Sequence, residues 1–161
     1  MIEQLIVEMI TYYAGDAPRI QHFLKVHDFA RTIAVLENID ENTIFTLEAA
    51  AVVHDIGIHI SEEKYGSCAG SYQELEGPPL AEEMLKRLGF SEEVISRVSY
   101  LVGHHHTYSN IDGSDYQILV EADFLVNLFE DDSPKNAVEH ALQHIFRTKT
   151  GIRFCREMFG V

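Results

Sequence analysis

Nine histidines occur in 161 residues, and several fall where helical periodicity turns the chain inward. His27 lies one turn after Phe23 and beside Val26, and His54-Asp55 ends the apolar run Ala49-Ala50-Ala51-Val52-Val53. Asp123 has Leu119, Val120 and Val126 as its helical neighbours. A buried carboxylate without a partner costs several kcal/mol, so Asp123 calls for a cation. Two imidazoles and two carboxylates drawn from three helices form a hard-to-borderline N/O ligand set for Fe, Mn, Zn, Ni or Co. The core of a helical bundle is where such ligands converge.

The elements that must position these residues are helical. Apolar residues recur three and four apart, and no clean alternation bounded by turn signals argues for a strand. The reading is an all-α, single-domain bundle of six to eight helices over residues 1–161. A first helix covers about Ile2 to Tyr13, and Asp16-Ala17-Pro18 starts a second that runs to about Asn38. A third spans Thr43 to Gly57. His59 to Gly77, with its glycines and serines, reads as a long loop bordering the site. Pro78-Pro79 opens a fourth helix ended by Gly89. Ser91 caps a fifth, which carries His104, His105 and His106 at its end. A sixth runs from Asp115 to Glu130, and a seventh from Ser133-Pro134 to Thr148. The tail from Gly151 to Val161 forms one more short helix.

Composition narrows the function classes. With 12 Lys+Arg against 26 Asp+Glu, the formal charge is −14. Such a surface repels a polyphosphate, which excludes a nucleic-acid polymer as partner. No apolar stretch reaches the roughly 18 residues of a membrane span, and the start of the chain lacks the basic residues of a signal peptide, so a cytoplasmic protein with no membrane partner is expected. Cys68 and Cys155 form no dense framework, and Cys155 reads as a small core residue. His140 and His144 have metal-pair spacing but sit on a solvated face, and His22, five residues before His27, falls on a different helix face and reads as structural.

The order His27, His54-Asp55, Asp123 resembles the HD superfamily of metal-dependent phosphohydrolases, and the match extends to Gly57 in His54-Asp55-Ile56-Gly57. It spans about residues 19 to 128, leaving residues 1–15 and 132–161 as flanking helices that either cover the core or form a homodimer contact. The resemblance implies that His27, His54, Asp55 and Asp123 bind one divalent ion and that Asp55 bridges to a second. A further resemblance, to the dinuclear branch that includes HD-GYP domains, rests on Leu101-Val102-Gly103-His104-His105 and on Asp112-Gly113. It makes His104 and His105 second-site ligands, with His106 the weakest of the three. Glu76 stands where that branch has histidine, and Gly113-Ser114-Asp115-Tyr116 replaces the Gly-Tyr-Pro signature.

A phosphohydrolase of this kind would hydrolyse a small phosphomonoester or phosphodiester, plausibly a nucleotide, with one or two metal ions activating water. Asp55, Glu62 or Glu63 could accept the proton from water. His59 or Lys64 could meet the phosphate or the leaving oxygen, and Arg31, a turn beyond His27, could bind phosphate or pair with an acidic neighbour. A di-iron oxygenase built on the same ligands is an alternative reading, as is a non-catalytic metal-binding sensor.

Overall fold

Helix caps set the phase of the chain in the computed structural model, which describes all residues 1–161. The Asp16 side chain accepts from the Arg19 amide and starts α2 (Ala17–Leu36), with Pro18 in its first turn. Asp40 accepts from the amides of Asn42 and Thr43 to start α3 (Glu41–Val53), and Ser91 caps α6 (Glu92–Val102) through the Val94 amide. These side chains satisfy amides that the first helical turn leaves without partners. The remaining elements are α1 (Ile2–Tyr12), α4 (Ile58–Tyr65), α5 (Gly70–Leu88), α7 (Gly113–Glu130), α8 (Lys135–His144) and α9 (Lys149–Phe159). The protein is all-α, as its periodicity predicts, with nine helices and no strands.

α3 is the central element. Ala49 to Val53 are completely buried, because α1, α2, α6 and α7 all pack on this one helix. Small alanines let four neighbours approach, which places the end of α3 inside the molecule. By length and composition alone, Glu41–Tyr65 could cross a membrane, but 61% of its apolar window is buried within the fold. Its hydropathy is that of a core helix.

Three expectations are corrected. The long loop expected from His59 to Gly77 is helical at both ends: α4 fills 58–65 and α5 begins at Gly70, so only a short connection around Gly66 remains, with Gly66 in the left-handed conformation that ends α4. Pro78 and Pro79 therefore lie inside α5 rather than in its first turn. Each removes an amide that would bond one turn back, and the helix is held by close packing instead. A Cβ on Gly57 would come within 2.9 Å of the Gln73 carbonyl oxygen and the Gly77 nitrogen, so only glycine lets α5 lie against the turn after α3. The expected seventh helix also stops early, at His144. The completely buried Glu121 accepts from the backbone amides of Arg147, at 2.6 Å, and Thr148, at 2.9 Å, and Thr148 then caps α9.

Candidate metal centre

Three elements deliver the first group of donors. α3 ends at Val53, and the turn that follows carries His54 and Asp55; α2 contributes His22 from its second turn, and α7 contributes Asp123. His22 Nε2 lies 3.3 Å from His54 Nε2, 3.2 Å from Asp123 Oδ1 and 3.4 Å from Asp55 Oδ2. His54 is fully buried and Asp123 is nearly so.

The outer nitrogens of these rings are already engaged. His22 Nδ1 lies 2.8 Å from Glu130, and His54 Nδ1 donates to the Ala51 carbonyl at 2.8 Å. With Nδ1 engaged outward, each Nε2 points inward, toward the other imidazole and two carboxylates, where it carries a proton or offers its lone pair to an ion. Such hydrogen bonds fix the tautomer of metal-binding histidines. Converging lone pairs repel unless a proton or a metal ion lies between them, so the donor set fits a divalent cation.

A second group shares Asp55. Its Oδ1 lies 3.3 Å from His105 Nε2, and Asp55, His105 and His106 can each offer an atom to one ion. His105 Nδ1 donates to the Val102 carbonyl at 2.8 Å, so its Nε2 also faces inward with a lone pair. The Nε2 atoms of both His105 and His106 are buried without a hydrogen-bond partner. Asp55 thus turns one oxygen toward each group.

The electrostatics follow from this crowding. Burial opposes the charged form of His22, but the hydrogen bond to Asp123 and the negative charges of Asp55 and Asp123 outweigh it and raise its pKa to about 9. His54 is raised in the same way, burial being outweighed by Asp55 and Asp123. Burial likewise opposes ionisation of Asp55, yet the charge of His54 and the close approach of the His105 imidazole hold it well below the usual carboxylate range. Asp123 is also held low against burial, through His22 and His54. Burial and the neighbouring His105 push His106 down to about 4, leaving it a neutral ligand.

The donors open onto a cleft of about 240 Å³ lined by Arg19, His22, Asp55, Gln73, His106, Asp123, Asn127 and Glu130 among others. Arg19 supplies a cation to its wall and is itself held by Asp16 and by Glu62, the latter at 2.6 Å. The turn that carries Asp55 is fastened from outside by α1: Tyr13 donates to the Asp55 carbonyl at 2.6 Å and Tyr12 to the Ile56 carbonyl at 3.1 Å.

The structure brings together His54, Asp55, Asp123 and His105 of the residues singled out in the sequence. It does not bring His27, which lies 3.0 Å from Glu48. Arg31 approaches the same carboxylate at 3.3 Å, so it pairs with an acidic neighbour and lies outside the cleft. Five residues rotate a helix by about 140°, so His22 and His27 face different sides. The inward side is the one with Val26, Ala30 and Ile33, and His22 shares it at helical spacing; that periodicity was the available signal.

His104 is also absent from the groups. The helix ends at Val102 and the three histidines lie in the turn beyond it, where His104 Nδ1 donates to the Tyr100 carbonyl and its ring stacks on Tyr100 while His106 faces inward. Glu76 is taken by Lys64 at 2.7 Å and by the Tyr65 hydroxyl at 2.6 Å, which removes Glu76 and Lys64 together. His59 lies 3.3 Å from Asp16 and packs against the Tyr13 ring. Arg19, Gln73 and Glu130 were not singled out in the sequence.

Comparison with known proteins agrees with this architecture. The HD domain family matches residues 19–145. The crystal structure of a predicted HD superfamily hydrolase from an uncultured Thermotogales bacterium, solved at 1.45 Å resolution, superposes with a TM-score of 0.67 at 24% identity, covering 99% of this chain and 83% of that one. No curated protein matches the chain. The family match covers most of the helices and all of the donors described above, and the chain belongs to the HD domain family.

Proposed function

We propose that the protein is a metal-dependent phosphohydrolase acting on a small phosphomonoester or phosphodiester, with a nucleotide the leading candidate. The observation that carries this reading is the sharing of Asp55 between His22-His54-Asp123 and His105-His106 at the wall of one cleft. A divalent ion at these donors supplies Lewis acidity, lowering the pKa of water toward neutrality and offsetting charge on a phosphoryl oxygen.

The chain's own residues supply the rest. His22, His54 and Asp123 hold fixed positions through Glu130, Ala51 and Asn127. Arg19 offers a planar, permanently charged group to a phosphate entering the cleft, exchanging its ion pairs with Asp16 and Glu62 for the ligand. The overall charge of −14 repels anions at long range, so selectivity for small phosphates rests on these local contacts.

The test is phosphate release by the Mn²⁺-loaded protein across a panel of nucleoside monophosphates, sugar phosphates and phosphodiesters. Activity is expected with at least one class, to be lost in Asp123→Ala and kept in His27→Ala. No release from any class, or equal release by Asp123→Ala, overturns the reading. The second donor group also suits a di-iron oxygenase, which would show activity with iron and oxygen that Mn²⁺ or Zn²⁺ does not restore.

A further inference from the structure

The Asp55, His105 and His106 group offers three donors, and a fourth buried atom beside it has no partner. Gln73 is only 6% exposed. Its Nε2 donates to the Cys68 carbonyl at 2.7 Å, which fixes the opposite end of the amide as the oxygen. That Oε1 is shut off from solvent and accepts no hydrogen bond. A buried acceptor left unpaired costs free energy, so a native structure that keeps one points to a missing partner.

Helix α5 places Gln73 in the wall of the cleft that also holds Asp55 and His106. α5 runs close along His106: a Cβ added at Gly70 would come within 2.7 Å of the His106 ring, Glu74 accepts from the His106 amide at 3.0 Å, and Gln73 lies between these two positions in the same helix. Gln73, His106 and Asp55 line the same cleft. The Nε2 atoms of His105 and His106 are likewise buried without a hydrogen-bond partner. A substrate donor arriving through solvent does not reach an atom closed off in this way. An ion seated within the wall does.

We propose that Gln73 Oε1 is the fourth protein donor to a second divalent ion, with Asp55, His105 and His106; this rests on the metal-dependent reading above. A carboxamide oxygen is a hard, neutral ligand suited to Mn²⁺ or Fe²⁺. The first group commands two carboxylates, Asp123 and Asp55, whereas the second has only the shared Asp55. The second ion is therefore the weaker-bound and more readily exchanged of the two, and the charge of residue 73 sets its affinity.

The experiment is calorimetric titration of metal-stripped protein with Mn²⁺, with metal counted per chain and folding followed by circular dichroism, for the wild type, Gln73→Leu, Gln73→Glu and His54→Ala. The wild type is expected to bind two ions in two affinity classes. Gln73→Leu weakens the weaker class by roughly tenfold or more and leaves the stronger unchanged, while Gln73→Glu tightens the weaker class. His54→Ala removes the stronger. Wild-type affinities in a folded Gln73→Leu, or no tightening in Gln73→Glu, overturn the proposal. A single ion in the wild type also overturns it while leaving the metal-dependent reading intact, whereas no bound ion sinks both.

Discussion

Glu130 holds His22 from behind: one carboxylate oxygen lies 2.8 Å from the His22 Nδ1, and the other accepts from Lys25 at 2.6 Å. A solvent-side ion pair thereby fixes the ring that faces the buried donors. Removing the carboxylate in Glu130→Ala should lower affinity for the first Mn²⁺ by roughly ten- to hundredfold, the usual effect of deleting a group that orients a metal-bound histidine. Glu130→Gln keeps an acceptor and should recover part of the loss. Equal affinity in all three proteins would mean that His22 needs no such support.

The two histidines of α2 separate cleanly by substitution. His22→Ala should abolish binding of the first ion. His27→Ala should leave it intact and cost at most about 1 kcal/mol of stability, since a partly exposed His–Glu pair contributes little. Parallel metal analysis and thermal melts check both.

Why His22 was hidden while His54, Asp55 and Asp123 were legible has a physical basis. The latter three sit in or at the end of long apolar runs, where a polar residue stands out. α2 is mixed, with Lys25, Asp28 and Arg31 interleaved among its apolar residues, so phase rather than composition marks its inner face. His104 and His106 exchanged roles because His104 rests on the resemblance of Gly103-His104-His105 to a His-His pair, whereas the chain turns beyond Val102 and brings His105 and His106, not His104, to Asp55. The first half of α5 was read as loop because Gly70, Ser71 and Gly77 are weak helix formers, and tertiary packing on Gly57 overrides that weakness. Glu121 organises the start of α9 from 27 residues away along the chain, and no local pattern reveals such a contact.

The pH dependence of metal binding follows from His22. Its pKa in the folded, metal-free chain is raised from the ordinary 6.5 to about 9. The stabilising ion pair with Asp123 and Asp55 is therefore complete below about 6.5 and lost as pH rises through 9. An incoming ion must displace that proton, so apparent Mn²⁺ affinity for the first group should rise as pH climbs toward 9 and level off above it. Titrations at several pH values below 9 measure the slope, and a flat profile would show that His22 is already neutral.

Packing around the His-Asp turn gives a stability prediction. A methyl group in Gly57→Ala would meet the backbone of Gln73 and Gly77 at 2.9 Å, which no side-chain rotation relieves. A loss of about 1–3 kcal/mol is expected, read as a lower melting temperature. The displacement of α5 should also carry Gln73 away from Asp55 and weaken the second Mn²⁺ more than the first.

The hydroxyls of Tyr12 and Tyr13 on the carbonyls of Ile56 and Asp55 have a practical consequence for anyone dissecting the molecule. The family match begins at residue 19, beyond both tyrosines, so a fragment trimmed to the recognised boundary would retain every donor side chain and lose the clasp on the peptide that carries one of them. Such a fragment should still be helical, yet hold its ions loosely. In this protein the segment outside the family match fastens the turn that carries Asp55, and a domain boundary drawn from sequence similarity alone would cut through that contact.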